Sequence, residues 1–206
     1  MNGVIYYAIT LNASNLSGDQ FLNFFILAMI EVPAGYFGSV LCDKIGRRWT
    51  QVIFFMVCVV FSIVAGIAAD FTDIYAMKVI SVIAAVVSKF AVTLTFLVVY
   101  LQATEIFPTP LRSTGSGFAS TSASVIGIFT PFIVFSAKFL QGAPWFIIAI
   151  MSAIGVVSSA YLPETLNQSL PETLEEAENF GKDNKFWSFR PPPQKPSSQN
   201  GNRIKA

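Results

Sequence analysis

Two ionisable side chains, Glu31 and Lys89, lie in the middle of long apolar segments. A charge at the centre of a membrane span costs at least about 2.5–3.5 kcal/mol, so each needs a partner or water. Pro33 and Gly35 follow Glu31 and predict a broken or kinked helix that faces a water-filled cavity. Because no other charge lies as deep in these segments, we expect Glu31 and Lys89 to be coupled. The alternative for Glu31 is burial in a hydrogen-bonded helix contact.

Aromatic and hydroxyl side chains extend this candidate substrate site. Tyr6, Tyr7 and Phe96 present ring faces that can stack on a cation or an apolar ligand. A phenol in a bilayer also needs a hydrogen-bond partner, which sets the two tyrosines apart from the many phenylalanines. Residues 114–137 are rich in glycine, serine and threonine, including Ser124. Such residues allow close helix packing, which explains most of them, or line a polar path.

Three short segments carry complementary charges. Because successive spans place alternate loops on opposite sides of the membrane, all three are predicted to lie at the same membrane face. The charged residues that could pair are Asp43, Arg47 and Arg48 in the first, Glu105 and Arg112 in the second, and Glu164 in the third. Bridges from the arginines to the glutamates would hold the helices together at that face. A set of bridges that forms in only one conformation would bias a two-state equilibrium. Ordinary juxtamembrane charge is the alternative interpretation.

The composition is that of a membrane protein. Of the 206 residues, 53% are hydrophobic and 12% are charged, against about 25% charged in soluble domains. Apolar runs predict an all-α bundle with one partial helix and five full spans, since about 20 residues cross a bilayer. We predict the partial helix over residues 3–12, and spans near 21–42, 52–69, 74–104, 114–137 and 144–162. Pro131 predicts a kink in the fourth full span.

The charges between the spans orient the bundle. Short loops rich in lysine and arginine stay on the cytoplasmic side, and residues 43–48 contain three such cations. This places the C-terminus in the cytoplasm, with the plasma membrane as the expected location; Lys138 is a weak exception to the rule. Asn12 and Asn15 begin N-glycosylation acceptor patterns in a loop that parity places outside.

Beyond the bundle, residues 167–189 predict an acidic amphipathic cytoplasmic segment. Residues 190–206 are rich in proline, serine and asparagine and predict a disordered tail. The chain contains no histidine and shows no metal-ligand cluster, phosphate-binding glycine loop or nucleophile–base pair. We therefore expect no enzyme activity, cofactor or metal. The net charge of +1 gives no indication of a nucleic-acid partner.

Several motifs resemble those of the major facilitator superfamily. The loop motifs are GSVLCDKIGRR (residues 38–48), ATEIFPTPLR (103–112) and PETLNQSLPETLEEAE (163–178). They are most similar to the C-terminal half of the organic cation, organic anion and carnitine transporter branch. The segments YYAITLN (6–12), LNFFILAMIEVPA (22–34) and SKFAVTLTF (88–96) also resemble that branch.

The resemblance implies a twelve-helix carrier of small organic ions that works by alternating access between two six-helix halves. This chain would begin inside the seventh helix, with the lipid bilayer and an N-terminal six-helix half as partners. The substrate-binding positions would be Tyr6, Tyr7, Glu31, Lys89 and Ser124, with Phe96 among the nearby aromatics. The conformational latch would comprise Asp43, Arg47, Arg48, Glu105, Arg112 and Glu164.

Ser124 departs from the pattern of that branch. The corresponding position often carries an acid in cation transporters and a base in anion transporters, whereas Ser124 is neutral. This favours zwitterions or small polar amines, such as carnitine-like or amino-acid conjugates. Two alternatives stay open: a truncated protein that assembles with a full-length partner without transporting, and a sugar-type facilitator. The doubled PET–LPET motif argues against the latter.

Overall fold

The computed structural model describes residues 1–16, 18–71, 75–108, 111–162 and 164–165. The predicted segments 167–189 and 190–206 lie outside these ranges. The described residues form helices and no strand. The α-helices in chain order are α1 (Asn2–Asn12), α2 (Gln20–Met29), α3 (Glu31–Ile45), α4 (Arg47–Asp70), α5 (Tyr75–Ile106), α6 (Arg112–Gly127), α7 (Thr130–Phe135) and α8 (Ala143–Tyr161). Short 3-10 turns follow α1 at Ala13–Asn15 and α7 at Ser136–Lys138.

Five helical stretches in the described part are long and apolar enough to cross a membrane. They are Gln20–Ile45, Arg47–Asp70, Tyr75–Ile106, Arg112–Lys138 and Ala143–Tyr161. The first combines α2 with α3, and the fourth combines α6, α7 and the turn after α7. Helix α1 has 11 residues, whereas a span requires about 20. The predicted class of an all-α membrane protein is confirmed.

Two of the five stretches are interrupted next to prolines. Between α2 and α3, Ile30 serves as C-cap of one helix and N-cap of the next. Pro33 lies three residues further on, and because it has no N–H, the carbonyl of Met29 lacks its usual intrahelical donor. Pro131 occupies the first turn of α7, just after α6 ends at Gly127. Both interruptions fall where the sequence predicted flexures.

The centre of the bundle is formed by α4, which packs extensively on α5 and α8. Small residues allow these helices to approach closely. A Cβ on Gly66 would lie 3.2 Å from Cβ of Trp145, and one on Gly155 would lie 3.0 Å from the ring of Phe55. Helices α1 and α3 also pack on α5. This arrangement brings α1, α3 and α5 together around one polar site.

The outer faces of the bundle are strongly apolar. Large exposed apolar side chains occur on every described span, as expected for helices that contact lipid. Helix α6 is the most exposed of the described spanning helices, because none of its residues is buried. Glycine, serine and threonine are among its exposed residues.

Candidate functional site

Four side chains from three helices meet in the apolar part of the bundle. The Lys89 ammonium donates to Glu31 Oε1 at 2.9 Å and to Thr10 Oγ1 at 2.6 Å. The Tyr6 hydroxyl donates to the same Glu31 oxygen at 2.6 Å. We call Tyr6, Thr10, Glu31 and Lys89 the Glu31 cluster. The structure thus brings together the two deep charges that the sequence analysis expected to be coupled.

The two charges differ in their access to the surroundings. Lys89 is 1% exposed and Glu31 is 34% exposed. The Lys89 Nζ lies 3.4 Å from the centroid of the Tyr6 ring, so the ring face adds a cation–π contact to the two hydrogen bonds. Among the described residues no hydrogen bond reaches Glu31 Oε2. The cluster therefore encloses its cation and leaves half of its carboxylate open.

The helices position these groups through local sequence features. Glu31 is the first residue of α3, directly after the interruption, where the helix dipole favours a negative charge. Tyr6 and Thr10 are four residues apart on α1 and therefore share one face. The Thr10 hydroxyl donates to the Tyr6 carbonyl at 2.8 Å, which leaves its oxygen lone pairs free to accept from Lys89. The sequence analysis missed Thr10, although its spacing from Tyr6 was a usable signal.

A row of aromatic rings continues from the Glu31 cluster. The Tyr6 and Phe96 centroids are 5.4 Å apart, and those of Phe96 and Tyr100 are 5.0 Å apart. Tyr7 meets the Tyr6 ring edge-on at 5.5 Å and is 54% exposed. The predicted site residues Tyr6, Tyr7 and Phe96 are thus neighbours, and Tyr100 extends the same row.

Ser124 stands apart from this group. Its side chain is exposed on α6, and its hydroxyl donates to the Ser120 carbonyl at 3.0 Å. Helix α6 does pack against α1, but no described contact joins Ser124 to the Glu31 cluster. Its predicted role in substrate binding therefore stays a prediction.

A second polar assembly lies at one end of the bundle, where α3, α4, α5 and the segment after α8 meet. Arg47 Nη2 lies 3.0 Å from Glu105 Oε1. The two oxygens of Glu164 accept the backbone N–H groups of Arg47 and Arg48, at 2.8 and 3.1 Å. The Thr165 hydroxyl donates to Glu105 Oε2. We call Arg47, Arg48, Glu105, Glu164 and Thr165 the Glu164 cluster.

The remaining predicted latch residues lie at the edge of this assembly. The Asp43 carboxylate is 77% exposed and lies 3.9 Å from Arg47 Nη2, a distance at which the attraction is weak in solvent. The Nε and Nη2 atoms of Arg112 are buried and have no hydrogen-bond partner among the described residues. No described contact brings Arg112 to the Glu164 cluster.

Comparison with known proteins identifies the class. Residues 1–177 match the family described as "Sugar (and other) transporter", so the match covers most of the chain. The chain belongs to this family of transporters, and its five candidate spans are compatible with a multi-pass membrane protein.

Several similar proteins are named as organic cation transporters. The chain is 37% identical over 182 residues to organic cation transporter 1 of Caenorhabditis elegans, covering 88% of the chain and 30% of that protein. It is 32% identical over 201 residues to the organic cation transporter protein of Drosophila melanogaster, covering 98% and 34%. It is 30% identical over 193 residues to the carcinine transporter of Drosophila melanogaster, covering 92% and 27%. The chain is thus similar to organic cation transporters, the branch of the major facilitator superfamily that its motifs resemble, and it spans about a third of the length of these two relatives.

Proposed function

We propose that this chain forms the C-terminal half of an alternating-access carrier for small organic ions, namely cations, zwitterions or carnitine-like solutes. The observation that carries the proposal is the half-open carboxylate of Glu31, placed at a helix interruption within the apolar bundle. A carboxylate backed by aromatic rings is the combination that attracts an organic ammonium group. The names of the relatives, which include organic cation and carcinine transporters, support the same substrate class.

In this mechanism the substrate ammonium approaches Glu31 from the exposed side, where Oε2 is open. The ring faces of Tyr6, Tyr7 and Phe96 contact the apolar part of the substrate. An N-terminal six-helix half supplies the opposite wall of the cavity, and the two halves rock against each other about this midplane site.

The Glu164 cluster would act as the conformational latch. It ties the segment after α8 to α4 and α5 through groups that carry opposite charges or complementary hydrogen-bonding atoms. Contacts of this kind, if they form in one state only, stabilise that state by their own free energy. We assign them to the outward-facing state, with Asp43 and Arg112 at the edge of the latch. The cations within residues 43–48, at the junction of α3 and α4, support a cytoplasmic location for this end, and the plasma membrane is the proposed location.

The test is uptake by cells that produce the complete protein carrying this sequence. The labelled panel comprises a primary amine, tetraethylammonium, carnitine, a monocarboxylate and a hexose. We expect uptake of the primary amine, tetraethylammonium and carnitine. The variant Glu31→Gln should reduce this uptake on the order of tenfold or more at equal surface abundance. The matched control is Asp19→Asn, which neutralises an exposed carboxylate but keeps the oxygen that caps α2. Uptake of the hexose alone would identify a sugar-type facilitator and overturn the proposal.

A further inference from the structure

We infer that the Lys89 ammonium occupies the position that a substrate ammonium takes, so that a cationic substrate binds by displacing Lys89 from Glu31. The inference rests on the proposed function and narrows its substrate class. It follows from the contacts of a single atom, Lys89 Nζ, and from the acceptors and ring face that a ligand could bind if this atom moved away.

The surroundings of Lys89 Nζ are those of a bound alkylammonium ion. Its acceptors are the Glu31 carboxylate at 2.9 Å and the Thr10 hydroxyl at 2.6 Å, and the Tyr6 ring centroid lies 3.4 Å away. A carboxylate, a neutral acceptor and a ring face together satisfy an ammonium group removed from water. In this conformation Lys89 has no exposed surface with which to bind the anionic group of a ligand.

The charge balance makes Lys89 a competitor for the substrate. Glu31 and Lys89 neutralise each other, so a second cation beside Glu31 meets attraction from the carboxylate and repulsion from Lys89. The repulsion disappears only when the flexible four-carbon stem of Lys89 moves its ammonium away. An incoming cation can then bind Glu31 Oε1, the Thr10 hydroxyl and the face of the Tyr6 ring in its place.

The two hydrogen-bond acceptors define the substrate class. A protonated primary or secondary amine can donate N–H groups to both Glu31 and Thr10. A quaternary ammonium has no N–H, and its alkyl groups prevent the approach to the ring centroid that Lys89 makes. The position left by Lys89 therefore favours small protonated amines, and quaternary ammonium ions such as carnitine and tetraethylammonium should be carried with lower affinity.

The experiment uses the variant Lys89→Ala in the complete purified protein. The alanine keeps Cβ, so the atoms removed correspond to propylammonium. Binding is followed by the ligand-dependent rise in the thermal unfolding midpoint, which reports affinity by mass action. We expect the variant to bind propylammonium about tenfold more tightly than the unmodified protein, which corresponds to about 1.4 kcal/mol. Tetramethylammonium and propionate should show no such gain.

The control is Lys78→Ala, which removes the same charge from the same helix at an exposed position. It should leave the affinity for propylammonium unchanged. The double variant Glu31→Gln with Lys89→Ala should lose the gain. Weaker or unchanged propylammonium binding by Lys89→Ala would overturn the inference and make Lys89 a supporting residue.

Folding and transport provide separate readouts. If Lys89→Ala does not fold alone, the variant is produced with propylammonium or tetramethylammonium in the medium. Recovery of folded protein with propylammonium but not with tetramethylammonium supports the inference. The absence of such recovery overturns it. If the unmodified protein takes up organic cations while Lys89→Ala gains no affinity, only the inference fails. If the unmodified protein takes up no organic cation, the proposed function fails whatever the variant binds.

Discussion

The backbone N–H of Arg47 donates to Glu164 Oε1 at 2.8 Å, although 117 positions separate the two residues in the chain. The other oxygen of Glu164 accepts the N–H of Arg48 at 3.1 Å. The first N–H groups of a helix have no intrahelical partner, and the helix dipole favours an anion there. Glu164 thus caps α4 from a distant segment and ties the residues after α8 to the start of that helix.

This capping predicts that Glu164→Gln destabilises the protein. A glutamine has one acceptor oxygen, so one of the two N–H groups at the start of α4 loses its partner. We expect a loss of about 1–3 kcal/mol in the free energy of unfolding, measured by denaturation in mixed micelles. The control Asp43→Asn removes an exposed, loosely paired carboxylate and should cost less than about 0.5 kcal/mol. Equal losses in the two variants would contradict the capping role.

Gly46 connects α3 to α4 with a φ of +104°, in the region that favours glycine. A Cβ there would lie 2.6 Å from Glu164 Oε2. We therefore expect Gly46→Ala to combine backbone strain of about 1–3 kcal/mol with displacement of Glu164. Gly18→Ala, at a φ of +108° with no atom within 4 Å of its Cβ, isolates the strain.

The difference between these two alanine variants measures the contact with Glu164. Gly46→Ala should lower the free energy of unfolding by at least about 1 kcal/mol more than Gly18→Ala, because a hydrogen bond to Glu164 is lost. In a Glu164→Ala background this difference should disappear. The explanation is wrong if the difference persists in that background.

A buried amide pair joins the central helices. The Gln51 Nε2 group donates to Gln102 Oε1 at 2.6 Å, and the Ser159 hydroxyl donates to Gln51 Oε1 at 3.0 Å. Replacing Gln102 with leucine removes an acceptor from a buried donor, which should cost about 0.5–2 kcal/mol. The double variant Gln51→Leu with Gln102→Leu should cost less than the sum of the single variants, as a double-mutant cycle of unfolding free energies would show. Additive losses would mean that the amides do not stabilise each other.

The sequence was sufficient for the features that follow from charge in an apolar setting. Glu31 and Lys89 were paired correctly because an isolated charge within a span is too costly. Arg47 and Glu105 form the expected ion pair, because complementary charges lay on one predicted face. Glu164 lies at the same face, where it accepts the backbone N–H groups of Arg47 and Arg48. Pro33 and Pro131 marked the helix interruptions because proline lacks the N–H that a continuous helix requires.

The sequence was insufficient where helix rotation decides which neutral polar groups meet. Thr10 and Thr165 complete the two clusters, yet hydroxyl groups in a span also satisfy themselves on their own helix. Gln51 and Gln102 lay near the ends of predicted spans, where an amide usually reaches water. Nothing in their sequence context showed that α4 and α5 would turn these two side chains towards each other.

Ser124 tests whether α6 faces the substrate. If it does, Ser124→Asp should raise the uptake ratio of cation to carboxylate, and Ser124→Arg should lower it, each about threefold to tenfold, because an added charge acts strongly away from water. The control is the same pair of changes at Ser122, which has an equivalent hydroxyl bond to its own helix but points about 160° away around the axis. Unchanged selectivity in both Ser124 variants would remove this residue from the site.

Reversing the charges of Glu31 and Lys89 tests their coupling directly. Glu31→Lys removes the carboxylate and brings two cations together, and Lys89→Glu places two carboxylates around an incoming cation and slows its release. Each variant should reduce cation uptake on the order of tenfold or more at equal surface abundance. The double reversal should recover only part of the uptake, because a carboxylate at position 89 would lie against the Tyr6 ring, whose face repels anions. Lys78→Glu changes the charge of the same helix at an exposed position and should have little effect. If the double variant transports no better than the worse single variant, the two charges do not act as a pair.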